Sequence, residues 1–275
     1  MPGAGGEGLL VNTLLLTIFH ADVNCLTNKV NYILDLINKN DIDMFCISES
    51  WLTETILDQS VEIDGFKFMR KDSPSGIRKH GVALYYKNSI KIVEVPVPIP
   101  NILCVHLIDF NLFCLVVYRP PTQPTQENDD LVRFMSAFCE DKETIIMGDF
   151  NLPSLKWNNN FYETAYCTPN DRKFLDCFTS LGLSQVVQKP THFPAGNTLD
   201  LCLVSDAERV ASYEVSPPMP GCSHGVVSVK YTFQAVASDI FTASPSRPKK
   251  CGLVLFLDLC ESTCIILTGL LSCRV

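Results

Sequence analysis

A chain of 275 residues, 47% of them hydrophobic, can bury one substantial core, which excludes disorder as its organising state and suits one large domain or two small ones. A formal net charge of -8 and an isoelectric point near 5.1 deny the molecule the basic footprint of a nonspecific nucleic-acid binder. They leave open an enzyme that meets phosphate through a bound cation, because the ion then carries the local positive charge.

Residues 1–8 are glycine-rich and read as a disordered N-terminus. LLVNTLLLTIF, residues 9–19, lacks the preceding positive charge and small-residue cleavage pattern of a signal peptide, so it is expected to be the first buried strand. In LTNKVNYILDLINKN the spacing of Val30, Ile33, Leu34 and Ile37 predicts an amphipathic helix. IDMFCI (42–47) reads as a buried strand ending beside Glu49, and HGVALYYK, IKIVEV, ILCVHLID and LFCLVVY follow as strands between short turns. ENDDLVRFMSAF returns to helical spacing through Leu131, Phe134 and Phe138.

The stretch ETIIMGDFN (143–151) puts a buried apolar strand directly before a polar tip. Strand alternation turns Asp149 and Asn151 to one side and Phe150 to the other, while Gly148 leaves room for a group to approach the backbone. In TPNDRKFLDCFTSLG, Thr168 is placed to cap a helix, Pro169 to start it and Gly182 to stop it, with Phe174, Cys177, Phe178 and Leu181 as the apolar face. SQVVQ, LDLCLVS, ASYEV and VVSVKYTF supply further strands. About nine or ten strands with three helices exceed a single doubly wound sheet and point to an α/β fold of two packed sheets with helices outside.

Residues 9–233 are therefore read as one domain, and 234–275 as a linker (SPSRPKK) followed by an apolar, cysteine-rich tail. Residues 252–271 have the length of a membrane span, but Asp258 and Glu261 fall near its centre, where each acid costs roughly 2.5 to 3.5 kcal/mol. Membrane attachment is not expected. Of the thirteen cysteines, Cys46, Cys104, Cys114 and Cys202 sit in strand-like apolar runs, so they read as reduced and structural in an intracellular protein, nuclear or cytoplasmic. No paired Cys-x-x-Cys motif suggests zinc.

Polar residues recur at the ends of the apolar strands: Asp22 and Asn24, Glu49, Tyr118, Asp149 and Asn151, Asp200, and His224. Each alone reads as a turn former, a capping acid, a core aromatic or a structural histidine. Together, if the ends converge, they make a cluster of hard oxygen ligands that selects magnesium or calcium over zinc.

Their order is informative. Asp-Val-Asn (22–24), CISESWL (46–52), VYRPP (117–121), GDFN (148–151), PTHFPAGNTLDL (190–201) and Ser223-His224 before the last strand resemble the endonuclease/exonuclease/phosphatase superfamily, with its deoxyribonuclease-I-like fold. The nearest likeness is to the endonuclease domains of non-LTR (LINE-type) retrotransposons. The resemblance implies a four-layered α/β sandwich, two mixed sheets flanked by helices, and hydrolysis of DNA phosphodiesters with Mg2+ or Mn2+ and no organic cofactor. It implies Glu49, Asn24 and Asp22 around the metal. Asp149 would activate water, Asn151 hold it, Tyr118 donate to the phosphate, Asp200 complete the network and His224 bond a phosphoryl oxygen.

Three departures accompany the resemblance. The family's Ser-Asp-His is here Ser223-His224, so no acid precedes the histidine, and impaired activity is expected from loss of the charge that orients it. Asp22 stands where the family has Asn, adding a charge beside Glu49. Residues 234–275 show no reverse transcriptase, which reads as a truncated module. A noncatalytic binding module and a phosphatase on the same fold are the alternatives.

Overall fold

A computed structural model describes residues 13–72, 79–157, 162–163 and 167–234. The glycine-rich start, the SPSRPKK linker and the apolar tail lie outside these residues. In chain order the elements are β1 (Thr13–Asp22), α1 (Val30–Lys39), β2 (Met44–Ser48), β3 (Phe66–Lys71), β4 (Val82–Lys87), β5 (Ile92–Val95), β6 (Ile102–Leu107), β7 (Leu112–Tyr118), α2 (Thr125–Cys139), β8 (Thr144–Asp149), β9 (Leu155–Lys156), β10 (Tyr162–Glu163), α3 (Pro169–Ser180), β11 (Ser184–Gln185), β12 (Asp200–Val204), β13 (Val210–Ser216) and β14 (Val226–Gln234).

Two six-stranded sheets form, in the orders β13-β14-β1-β2-β4-β3 and β11-β12-β8-β7-β6-β5. Each is mixed: β1 runs parallel to β2 and β7 parallel to β8, and the other neighbours are antiparallel. The sheets pack face to face through Leu16, Ile18, Met44, Leu84, Val116, Met147 and Cys202. Ile33 of α1 packs with Phe19, Phe45 and Tyr85 on the outer face of the first sheet. Leu131 of α2 and Phe174 and Phe178 of α3 pack with Phe150 and Leu115 on the outer face of the second. The result is helix, sheet, sheet, helix: a four-layered sandwich.

The alternation of the strands explains both the layers and the site. Along β1, Leu16 and Ile18 face the other sheet while Phe19 and Ala21 face α1. The same parity carries His20 and Asp22 into the space between the sheets, just past the apolar layer. On β8, Ile145 and Met147 lie between the sheets and Ile146 on the helix side, so Asp149 follows them inward. Gly148 is required here, since a Cβ at this position would overlap the carbonyl of Val117, its register partner on parallel β7. The group for which that glycine makes room is the neighbouring strand.

Several expectations change. FKFMRK forms strand β3, which its alternation of charged and apolar residues at a sheet edge conceals from a search for apolar runs. The described residues hold fourteen strands, three of them only two residues long, so the expected nine or ten fall short. Val30, Ile33 and Ile37 pack inward as the spacing predicts, but Leu34 is exposed and Leu36 packs inward instead; α1 starts at Val30 after a 3-10 turn over Leu26–Asn28. α3 forms as read: Thr168 accepts the Asp171 amide at 3.1 Å, Pro169 opens the helix and Gly182 takes a φ of 64° after it.

Candidate active site

Seven of the eight predicted polar residues meet where the apolar layer between the sheets ends, and Asn24 lies in the loop after β1. Asp149 and Asp200 are register partners on antiparallel β8 and β12, and Tyr118 is the register partner of Asp149 on β7. The Tyr118 hydroxyl donates to Glu49 Oε1 at 2.6 Å, joining the second sheet to the loop after β2, and Trp51 Nε1 donates to Glu49 Oε2 at 3.2 Å. Desolvation and the charge of Glu49 push the Tyr118 phenol far upward, so it stays a neutral donor.

Asn151 reaches Asp149 by a turn rather than by alternation, since its φ is 48° and the strand ends at Asp149. The turn points its backbone N–H at Asp149 Oδ1 (3.0 Å) and its amide at Oδ2 (2.6 Å). Phe150 turns the other way and is buried against Phe174 and Phe178. Positive φ also occurs at Asn24 (43°), Glu49 (51°) and Trp51 (53°), so the loops that carry the site hold left-handed residues. Next to Asn24, Cys25 donates its backbone N–H to the Glu49 carbonyl at 3.0 Å, and the Cys222 thiol donates to the Val23 carbonyl at 3.4 Å.

His224 has a carboxylate partner after all. Its Nδ1 lies 2.8 Å from Asp200 Oδ2, so the imidazole is paired with an acid from across the fold although none stands beside it in the chain. The hairpin around Thr191 makes this possible. Thr191 Oγ1 accepts the backbone N–H groups of Leu199 and Asp200, both at 3.0 Å, and its carbonyl accepts the Gly225 N–H at 2.7 Å. Burial, the largest single influence, opposes charge on the imidazole, but Asp200, Asp149 and Asp22 together outweigh it and the pKa of His224 rises to about 10. Burial, the largest single influence, raises the Asp200 carboxyl, but the charge and hydrogen bond of His224, with His20 and Thr191, together hold it below its ordinary value.

Two further acids behave oppositely to Asp200. Asp149 and Asp22 are both pushed well above the usual carboxylate range, by burial first and then by neighbouring carboxylates: Asp200 for Asp149, and Glu49 and Asp149 for Asp22.

The model of the endonuclease-reverse transcriptase family matches residues 112–227. The AP endonuclease LMAP from Leishmania major superposes with a TM-score of 0.65 at 15% identity, covering 80% of this chain and 88% of that one. The 3′ phosphatase NExo from Neisseria, solved with product DNA hairpin, gives 0.61 at 16% identity, over 78% and 99%. The endonuclease domain of TRAS1, a telomere-specific non-LTR retrotransposon, gives 0.59 at 12%, over 79% and 98%. Curated proteins yield no significant match. This chain has the endonuclease/exonuclease/phosphatase fold.

Among the described residues of this deoxyribonuclease-I-like sandwich, one group of three ligand atoms lies close enough together for a cation. Ligand atoms of Asp149, Asp200 and His224 lie within 4.8 Å of one another. An imidazole whose pKa is raised to about 10 and whose Nδ1 is committed to Asp200 is a poor ligand, however, so this group reads as an ion pair. Asp22 Oδ1 is buried without a hydrogen-bond partner, and the acids around it are mutually repulsive, which a divalent ion would relieve.

Four residues of the site were not legible in the sequence. His20 and Ser48 are fully buried polar side chains within apolar strands. Arg119 is also buried, with Nε on Asn128 Oδ1 (2.8 Å) and one terminal nitrogen on the carbonyls of Phe150 (3.1 Å) and Asn151 (2.9 Å), so it holds the GDFN turn. Thr191 is the fourth. The available signals were a histidine in phase with Leu16 and Ile18, and the Arg and Thr inside VYRPP and PTHF.

Proposed function

We propose that this protein is an endonuclease-type phosphodiesterase that cleaves DNA with a divalent cation. The carrying observation is the convergence of six side chains, Glu49, Tyr118, Asp149, Asn151, Asp200 and His224, on one polar end of the inter-sheet layer, with the histidine paired and charged. Phosphodiester hydrolysis needs a base for water, donors aimed at developing charge and a means of offsetting the charge of the phosphate.

Asp22 and Glu49, with Asn24 in the adjoining loop, would hold Mg2+ or Mn2+. Such an ion, when bound, polarises the scissile phosphoryl group and offsets its charge. Asp149, oriented by both donors of Asn151 and raised in proton affinity, suits removal of a proton from the attacking water. His224, with Nδ1 committed to Asp200, keeps Nε2–H for a phosphoryl oxygen. Tyr118 stays protonated and donates. The likeness to retrotransposon and AP endonucleases supports DNA as the substrate.

The absence of an acid between Ser223 and His224 favours a second reading, a noncatalytic DNA-binding module on the same fold. Incubating supercoiled plasmid with the protein and Mg2+, beside Asp149→Ala and an EDTA control, separates the two. Relaxed circles that need Mg2+ and vanish in Asp149→Ala are expected; plasmid binding without relaxation would favour the module. Phosphate released from a 3′-phosphorylated oligonucleotide, again without nicking, would favour a phosphatase.

A further inference from the structure

We propose that His20 is a positioning residue for the Asp200–His224 pair and couples that pair, through Ser48, to the acid cluster at Asp22. The inference rests on the proposed reading for its effect on cleavage, but its structural core stands on contacts alone.

Asp200 has two carboxylate oxygens and uses only one for His224. The other, Oδ1, is fully buried and faces His20 Nδ1 at 3.6 Å. On its far side His20 Nε2 lies 3.1 Å from Ser48 Oγ, and Ser48 Oγ lies 3.4 Å from Asp22 Oδ2. Five side chains thus run in one line, His224, Asp200, His20, Ser48 and Asp22, from the histidine end of the site to the acid end. Four of them, all but His224, are buried. They come from the two sheets: His20, Asp22 and Ser48 from β1 and β2, Asp200 from β12.

A core position between Ile18 and Asp22 on the inner face of β1 needs only an apolar side chain for packing. A fully buried imidazole there carries a desolvation penalty that disfavours its charged form. A neutral imidazole has one donor and one acceptor nitrogen; with Nδ1–H turned to Asp200, Nε2 accepts the one Ser48 hydroxyl proton, and Ser48 then meets Asp22 through its oxygen alone. It limits rotation of Asp200 about its Cβ–Cγ bond and thereby fixes where His224 points. Residues that orient a site side chain from behind typically contribute 10- to 100-fold.

Three variants test it: His20→Leu removes both nitrogens, His20→Asn keeps an amide near the Nδ1 position, and His20→Gln keeps one near Nε2. Each is first checked for folding by circular dichroism. The low-field NMR resonance of the His224 Nδ1 proton is then followed in parallel with plasmid nicking. The expected result is a sharp resonance in the parent and in His20→Asn, exchange-broadened in His20→Leu and His20→Gln. Nicking should fall 10- to 100-fold in kcat, with KM unchanged, in the two broadened variants only. A folded His20→Leu with the parent's resonance overturns the proposal. If His20→Leu fails to fold, a folded His20→Gln with the parent's resonance does the same. A parent that never nicks, whose resonance nonetheless broadens in His20→Leu, would remove the endonuclease reading and leave the positioning role standing.

Discussion

Asp200 and His224, 24 residues apart in the chain, meet through Oδ2 and Nδ1 at 2.8 Å, and this contact pairs the histidine with a carboxylate although its own sequence neighbours offer none. Removing that charge should therefore be costly. Asp200→Asn is expected to lower plasmid nicking roughly 10²- to 10⁴-fold, the upper figure being the cost of the equivalent change in a serine protease. Single-turnover cleavage of a labelled duplex measures it, and a loss below threefold would contradict the contact's role.

The pH dependence follows from the two ends of the site. His224, raised to about 10, stays charged through neutral pH and loses its proton only on the alkaline side. Asp149 and Asp22, raised well above 3.8, must lose theirs first. The nicking rate should thus rise with pH above the usual carboxylate range and fall again near pH 10. The linked stability has a definite sign: a raised histidine pKa stabilises fully below about 6.5 and ceases to do so as pH climbs through about 10. Thermal melts across pH 6 to 11 should lose this component in the parent and lack it in His224→Gln.

Relief of the acid cluster gives a measurement independent of cleavage. Without a divalent ion, Asp22→Asn should raise the melting midpoint, since Asp22 is buried beside Glu49 and Asp149; about 1 kcal/mol would appear as roughly 2–4 °C. Mg2+ at 100 times its dissociation constant should stabilise the parent by about 2.7 kcal/mol, and Asp22→Asn or Glu49→Gln far less. Equal stabilisation of all three proteins would place the ion elsewhere.

Gly148 and Arg119 test the scaffold behind GDFN. Gly148→Ala sets a methyl against the Val117 carbonyl and should destabilise by about 3 kcal/mol, near the top of the range for overpacking. Arg119→Lys keeps the charge but cannot reproduce the fork to Asn128, Phe150 and Asn151, so urea unfolding should show a loss of roughly 1–3 kcal/mol. Native stability in either variant would refute the respective contact.

Much of this was legible because apolar runs and their polar tips are local features. ETIIMGDFN announces a buried strand with a polar end, and TPNDRKFLDCFTSLG carries its own cap and stop. The partners of those tips were not local. Nothing near Ser223-His224 indicates that Asp200 will sit beside the imidazole; the Thr191 hairpin and the β8–β12 pairing bring it there, and both are long-range. His20 was hidden for a related reason: a histidine in TIFHAD breaks an apolar pattern without saying what it faces. β3 was hidden because an edge strand with a wet face needs few apolar residues.

The most direct measurement compares the parent with a variant carrying Asp inserted between Ser223 and His224, each nicking supercoiled plasmid with Mg2+. With Asp200 already serving the histidine, the parent should nick, and the insertion should change its rate by less than tenfold. A silent parent brought to life by the inserted acid would contradict that claim.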